Sequence, residues 1–152
     1  KDALSRDQLV RAIKKERYLS ETQKGSFKET EIKRPTTAAY LYKARVERVI
    51  DGDTLLLKID LGFQVHKEQR IRLAQIDCPA FDEAGGRAAY FFVLNELAKA
   101  HTLVVKTHKI DIYGRYIGDV FYSLDEESIG TVFTNGEYLN EKILSRGLAK
   151  VY

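Results

Sequence analysis

The sequence predicts a small closed β-barrel flanked by helices, an α+β chain, and three observations carry that expectation. Short runs of alternating apolar and polar residues, rich in β-branched and aromatic types, recur from Tyr40 onward and are separated by turn signals. One long segment in their midst has helical rather than strand periodicity. At 152 residues with 44% hydrophobic content, the chain is long enough to bury one real core.

The elements follow in order. "YLYKARVERVI" alternates, and "DGDT" turns it tightly into "LLLKIDLGF". "QRIRLAQI" is a third strand, stopped by Pro79. Gly85 and Gly86 precede "RAAYFFVLNELAKAH", where Ala89, Phe92, Val93 and Leu97 fall on one face of an amphipathic helix of about four turns. "TLVVKTHKI" returns to strand, "DIYG" turns into "RYIGDVFYSL", and "TVFTNGEYL" contains an Asn-Gly turn. A last helix, "NEKILSR", ends at Gly147, a good C-cap. Three strands, a helix, two strands and a helix make a closed Greek-key barrel of the OB type. Ahead of it, the capping box Ser5-Arg-Asp-Gln8 and the apolar Leu9, Val10 and Ile13 predict a helix from about Arg6 to Tyr18, followed by a polar linker. The division expected is an N-terminal basic helical arm and linker over 1–38 and a barrel domain over 39–152.

Charge is split along the same line. Residues 1–38 hold ten Lys/Arg against six Asp/Glu, and residues 39–152 hold fifteen against sixteen. An anion site in the barrel must therefore be local and not a general positive field. No run is long and apolar enough for a membrane helix, so no membrane role is expected. The start at Lys1 and the absence of Met suggest a fragment, with an upstream domain expected. The single cysteine, Cys78, excludes an internal disulfide, and His66, His101 and His108 lack metal-ligand spacing.

Four places join charge to tight backbone: Asp51 and Asp53 in "DGDT", Arg72 and Asp77 in "RLAQID", Asp111, Tyr113 and Arg115 in "DIYGR", and Asn140 and Glu141 at the last helix. Arg72 and Asp77, five apart, face opposite ways on a regular strand, so a bulge or corner must turn both toward one pocket. Each motif alone is weak. Their order, DGDT, RLxxxDxP, a helix, DxYGRxxGxVF and NGxxLNExxLxxGLAKV, resembles the staphylococcal nuclease (thermonuclease) family from about Ala44 to Tyr152.

That resemblance implies a five-stranded OB-fold barrel of the staphylococcal nuclease type and a Ca²⁺-dependent phosphodiesterase acting on DNA or RNA, single-stranded or flexible substrate being favoured. Asp53 and Asp77 stand where the family's calcium carboxylates stand, and the Cys78 backbone carbonyl would be a third oxygen, a hard donor set that suits Ca²⁺. Arg72 and Arg115 occupy the places of the two phosphate-binding arginines, and Tyr113 that of a tyrosine lining the nucleotide pocket. Where the family has a general-base glutamate, this chain has Ala80. Glu83 or Asp82, on the same loop, is the candidate substitute base, Glu83 being the one singled out. The alternatives are a catalytically inactive barrel that binds nucleic acid, or a protein-interaction module with a vestigial site. A monomer is expected.

Overall fold

Alternation of burial along the strands explains why these segments pair. The second strand, β2 (Thr54–Asp60), sinks Leu55, Leu57 and Ile59, and β3 (His66–Leu73) sinks Ile71 and Leu73, while the intervening residues face outward. The computed structural model describes residues 31–152, so the helix expected over Arg6–Tyr18 lies outside the described residues.

β1 (Leu41–Asp51) pairs antiparallel with β2 and with β5 (Thr102–Ile110), which pairs with β6 (Tyr116–Ser123). Register shifts after Val46 and Val49 bend β1 so that it can serve both neighbours. The order β3-β2-β1-β5-β6 closes through a parallel contact of β3 with β6, where Ile71 faces Tyr116 and Arg72 faces Ile117. The result is the expected five-stranded barrel with helices. Closure matters for function because it sets the end of β3 beside the start of β6.

Helix α1 (Gly86–Ala98) buries Ala89, Val93 and Leu97, a spacing of four that keeps one face on the barrel. Two features depart from the sequence reading. The "TVFTN" stretch belongs to a short helix, α2 (Ile129–Asn135), whose N-cap Ser128 accepts a hydrogen bond from the Thr131 amide. Its apolar face is so short, only Val132 and Phe133 being buried, that periodicity could not announce it. Two-residue strands β4 (Ile76–Asp77) and β8 (Lys150–Val151) pair with one another, and β7 (Glu137–Tyr138) adds to β6. Helix α3 (Leu139–Ser145) is followed by Gly147 at φ 72°, as the C-cap expectation requires.

Residues 31–39, which the sequence reads as linker, lie along the barrel. Ile32 is buried in the core, and the Arg34 guanidinium donates to the carbonyls of Phe133 (3.0 Å) and Val132 (3.2 Å) while lying over the Phe121 ring. The Lys106 ammonium donates to the carbonyls of Thr37 and Ala39. Among the described residues, no helix is long and apolar enough to cross a membrane.

Candidate active site

Where the β1–β2 turn, the end of β3, the corner after β4 and the start of β6 meet, the surface opens into a cavity of about 750 Å³. Asp51, Asp53, Arg72, Asp77, Glu83 and Arg115 all line it. The motifs read separately along the chain thus share one space.

Asp53 is fixed by its turn. A side chain at Gly52 would collide with Ala89 of α1 and with Cys78, so only glycine lets the turn press this close. Asp53 is buried, and its Oδ2 accepts the Cys78 amide (2.8 Å) while Oδ1 accepts the Thr54 hydroxyl (3.1 Å). Asp51 accepts the Phe81 amide at 3.0 Å. Two carboxylates therefore stitch the corner loop to the β1–β2 turn.

Arg72 and Asp77 meet because the strand does not stay regular. Residues 74 and 75 form a turn in which Gln75 adopts φ 69°, a left-handed conformation uncommon outside glycine. That turn resets the alternation between β3 and β4, and the expected corner is supplied there. Arg72 Nη2 lies 3.2 Å from Asp77 Oδ1, and Nη1 lies 3.5 Å from Asp53 Oδ2. Nη1 also donates to the carbonyls of Leu73 (2.9 Å) and Ile76 (2.7 Å). One guanidinium balances two carboxylates and ties down the turn that brings them together.

Arg115 is aimed by a side chain of its own hairpin. Asp111 accepts the Arg115 Nε (2.8 Å) and the amides of Tyr113 and Arg115. Burial opposes the Asp111 charge, but these hydrogen bonds outweigh it and hold its carboxyl below the ordinary value. Tyr113 does not line the cavity; it is 74% exposed, and its ring meets the site through the Arg115 guanidinium, 5.2 Å away.

The corner loop holds Ala80 and Glu83 in a reciprocal clasp. Glu83 Oε1 accepts the Ala80 amide, and the Glu83 amide donates to the Ala80 carbonyl, both at 2.9 Å. Glu83 borders the cavity with one carboxylate oxygen committed to backbone. Gly86, at the start of α1, packs so tightly on this loop that a Cβ there would overlap the Ala80 carbonyl oxygen. The Gly85-Gly86 pair thus serves close packing. Burial and then the neighbouring Asp53 charge push the Cys78 thiol up to about 12, which leaves it an inert filler. Asn140, fully buried, accepts the Val120 amide and donates to the carbonyls of Ala74 and Gly118, so it is a staple of the fold.

Sequence reasoning missed the last residues. Lys150 and Tyr152 line the cavity, and the Tyr152 ring lies 5.3 Å from the Arg72 guanidinium. A two-residue strand carries no periodicity that could have predicted its partner.

A cation has oxygen donors here. Asp53 and Asp77 border one cavity and reach the same guanidinium, and hard carboxylates suit a hard divalent ion. Among the described residues, no group of three or more His, Cys, Asp or Glu side chains gathers closely enough to hold a metal. The two carboxylates are of the donor type a hard divalent ion takes, and they do not by themselves complete a metal site.

No curated protein matches the chain. A family model described as "Staphylococcal nuclease homologue" matches residues 70–152, which is more than half of the sequence and takes in Arg72, Asp77 and Arg115. With the closed barrel and the converging motifs, that match shows that the chain belongs to the staphylococcal nuclease family.

Proposed function

We propose that the domain is a Ca²⁺-dependent nuclease hydrolysing phosphodiester bonds of single-stranded or flexible DNA or RNA. The observation that carries this reading is the arrival of Arg72, from β3, and Arg115, from the turn between β5 and β6, in one cavity with Asp53 and Asp77. Family membership supports nuclease-type chemistry and nucleic-acid binding in general, and the family generally depends on Ca²⁺.

In this reading Asp53, Asp77 and the Cys78 carbonyl hold the cation, which when bound supplies positive charge to the scissile phosphate and a hard site for water. The chain's own residues do the rest. The planar forks of Arg72 and Arg115 grip the phosphate oxygens and stabilise the charge that builds on them. Asp111 holds Arg115 through its Nε at the cavity wall, and the Arg115 guanidinium over the Tyr113 ring offers a stacking surface for a base. Water adds to phosphorus in line with the 5′ oxygen, whose bond to phosphorus breaks and which leaves as a 5′-hydroxyl; with no glutamate at position 80, the attacking water's proton passes to solvent. General base catalysis contributes about 10²–10⁴-fold, a minority of a nuclease's acceleration, so a slow enzyme remains. Family precedent implies products with 3′-phosphates. We assign this function to residues 39–152, acting as a monomer, with residues 31–38 strapped onto the barrel.

Ala80 also favours a second reading, a binding module that no longer cuts. One assay separates the two: a labelled single-stranded oligonucleotide with Ca²⁺, with EDTA, and with Arg72→Ala and Arg115→Ala. Ca²⁺-dependent cleavage reduced about 10²- to 10³-fold in Arg115→Ala supports the enzyme. Arg72 also holds two backbone carbonyls, so the rate of its variant must be referred to the fraction folded, read by circular dichroism. Tight binding without cleavage, with and without Ca²⁺, supports the module. Full-rate cleavage by folded Arg115→Ala refutes the phosphate-clamp assignment.

A further inference from the structure

A second, smaller cavity of about 160 Å³ opens at one mouth of the barrel. Each barrel strand contributes to it: Tyr42 from β1, Ile59 from β2, Lys67 from β3, Thr107 from β5 and Tyr116 from β6. These positions share the inward parity of the core. Ile59 follows Leu55 and Leu57 on β2, and Tyr116 precedes Val120 and Tyr122 on β6. The cavity is therefore barrel interior left unfilled at one end, a common place for a ligand.

Its chemistry is that of a base pocket. Tyr42 and Tyr116 provide aromatic wall, and their hydroxyls and that of Thr107 bond to no described residue. The Lys67 ammonium donates to Gln69 Oε1 (2.9 Å) and has no carboxylate partner among the described residues, so its charge is available to an anion. The Gln69 amide is a strut, because its nitrogen donates to the carbonyls of Arg70 and Gly114, both at 3.1 Å.

One short segment adjoins both cavities. Gly114, held by Gln69, precedes Arg115, which lines the catalytic cavity, and Tyr116, which lines this one. The two cavities share no lining residue, but consecutive residues wall them, so a strand held at Arg115 lies next to the barrel-mouth lining. Size sets the base: an apolar cavity of about 150 Å³ holds one benzene ring, so this one takes a single six-membered ring more readily than a fused pair. We propose that the barrel mouth is a subsite for a pyrimidine base of the bound single strand, with Lys67 on the adjoining phosphate, a proposal that rests on the nucleic-acid reading above.

The test measures fluorescence anisotropy of labelled short oligothymidylate and oligodeoxyadenylate with phosphorothioate linkages, which resist cutting, in Ca²⁺. Wild type is expected to bind thymidylate more tightly than deoxyadenylate. Tyr116→Ala and Lys67→Glu should each weaken thymidylate binding roughly tenfold, the loss associated with one stacked base, with less effect on deoxyadenylate. Leu61→Trp, at a rim position 44% exposed, should plug the mouth and erase the thymidylate preference, and it keeps the test open should Tyr116→Ala fail to fold. Unchanged thymidylate affinity in Lys67→Glu and Leu61→Trp, with Arg115→Ala still weakening both oligonucleotides, overturns the subsite and leaves the nuclease reading standing. Wild type that binds neither oligonucleotide, or an Arg115→Ala variant that binds both as wild type does, overturns the reading and the subsite together.

Discussion

Two clusters of charge are tied into this barrel, and they are built to opposite ends. On one flank Glu96 of α1 accepts the Tyr122 hydroxyl at 2.6 Å and pairs with Lys142 of α3 at 3.1 Å and Lys99 at 3.0 Å. Burial works against the Glu96 charge, yet those hydrogen bonds prevail and bring it down to about 2, and burial with the nearby Glu96 raises Tyr122. At the larger cavity, Asp53 and Asp77 share Arg72, and Asp111 holds Arg115. Both clusters pair charges with short contacts. The flank cluster spends its donors among three packed elements, whereas the cavity cluster faces about 750 Å³ of open space. A perturbed acid therefore reports pairing, and function requires that the pair also face room for a substrate.

The comparison breaks most visibly at position 80. Ala80→Glu places a carboxylate on the cavity wall where the family has its base, and a rise in Ca²⁺-dependent cleavage of about 10²-fold or more is expected in single-turnover assays. A flat response would mean that the corner cannot direct a base at water.

Glu96→Gln should do the reverse. It is expected to cost about 1–3 kcal/mol of stability in urea unfolding, while cleavage per folded molecule stays at the wild-type rate. The same residue sets an acid limb. Its folded pKa, about 2, lies below its ordinary 4.5, so the unfolded chain binds the extra proton. Its stabilisation is full above about 4.5 and is lost as pH falls toward 2. Melting temperature against pH should show that loss in wild type and a shallower slope in Glu96→Gln.

Gly86→Ala tests whether the corner loop joins the two regions, because the added methyl strikes the Ala80 carbonyl. An overpacking cost of about 1–3 kcal/mol is expected, together with a fall in cleavage that persists after correction for the folded fraction. The smallest effect belongs to Glu83→Gln. With its carboxylate holding the Ala80 amide, turnover should change little, and a loss of about 10² would make Glu83 the base after all.

Much of this was readable beforehand, and the exceptions have physical causes. Strands β1 to β3, β5 and β6 and helix α1 announce themselves through long periodic runs, and Gly147 marks the end of α3 because a left-handed C-cap favours glycine. Helix α2 was missed because only Val132 and Phe133 are buried along it, too few to show a period, and strands β4, β7 and β8 because two residues hold no alternation. Tyr113 was placed in the pocket by motif alone; the structure shows a mostly exposed ring supporting Arg115. Residues 31–39 looked like linker because their polar composition hides Ile32, which is buried in the core, and Arg34, whose partners Val132 and Phe133 lie about a hundred residues on.

Local order in the sequence settled which segments become strands and helices, where the tight turns fall and which charged groups are present, since those depend on neighbours a few residues away. The meeting of Arg72 with Asp53 and Asp77, and of that trio with Arg115, came only from the turn at Gln75 and the closure of β3 on β6. Such meetings belong to backbone pairing between distant segments, and no short window of residues contains them.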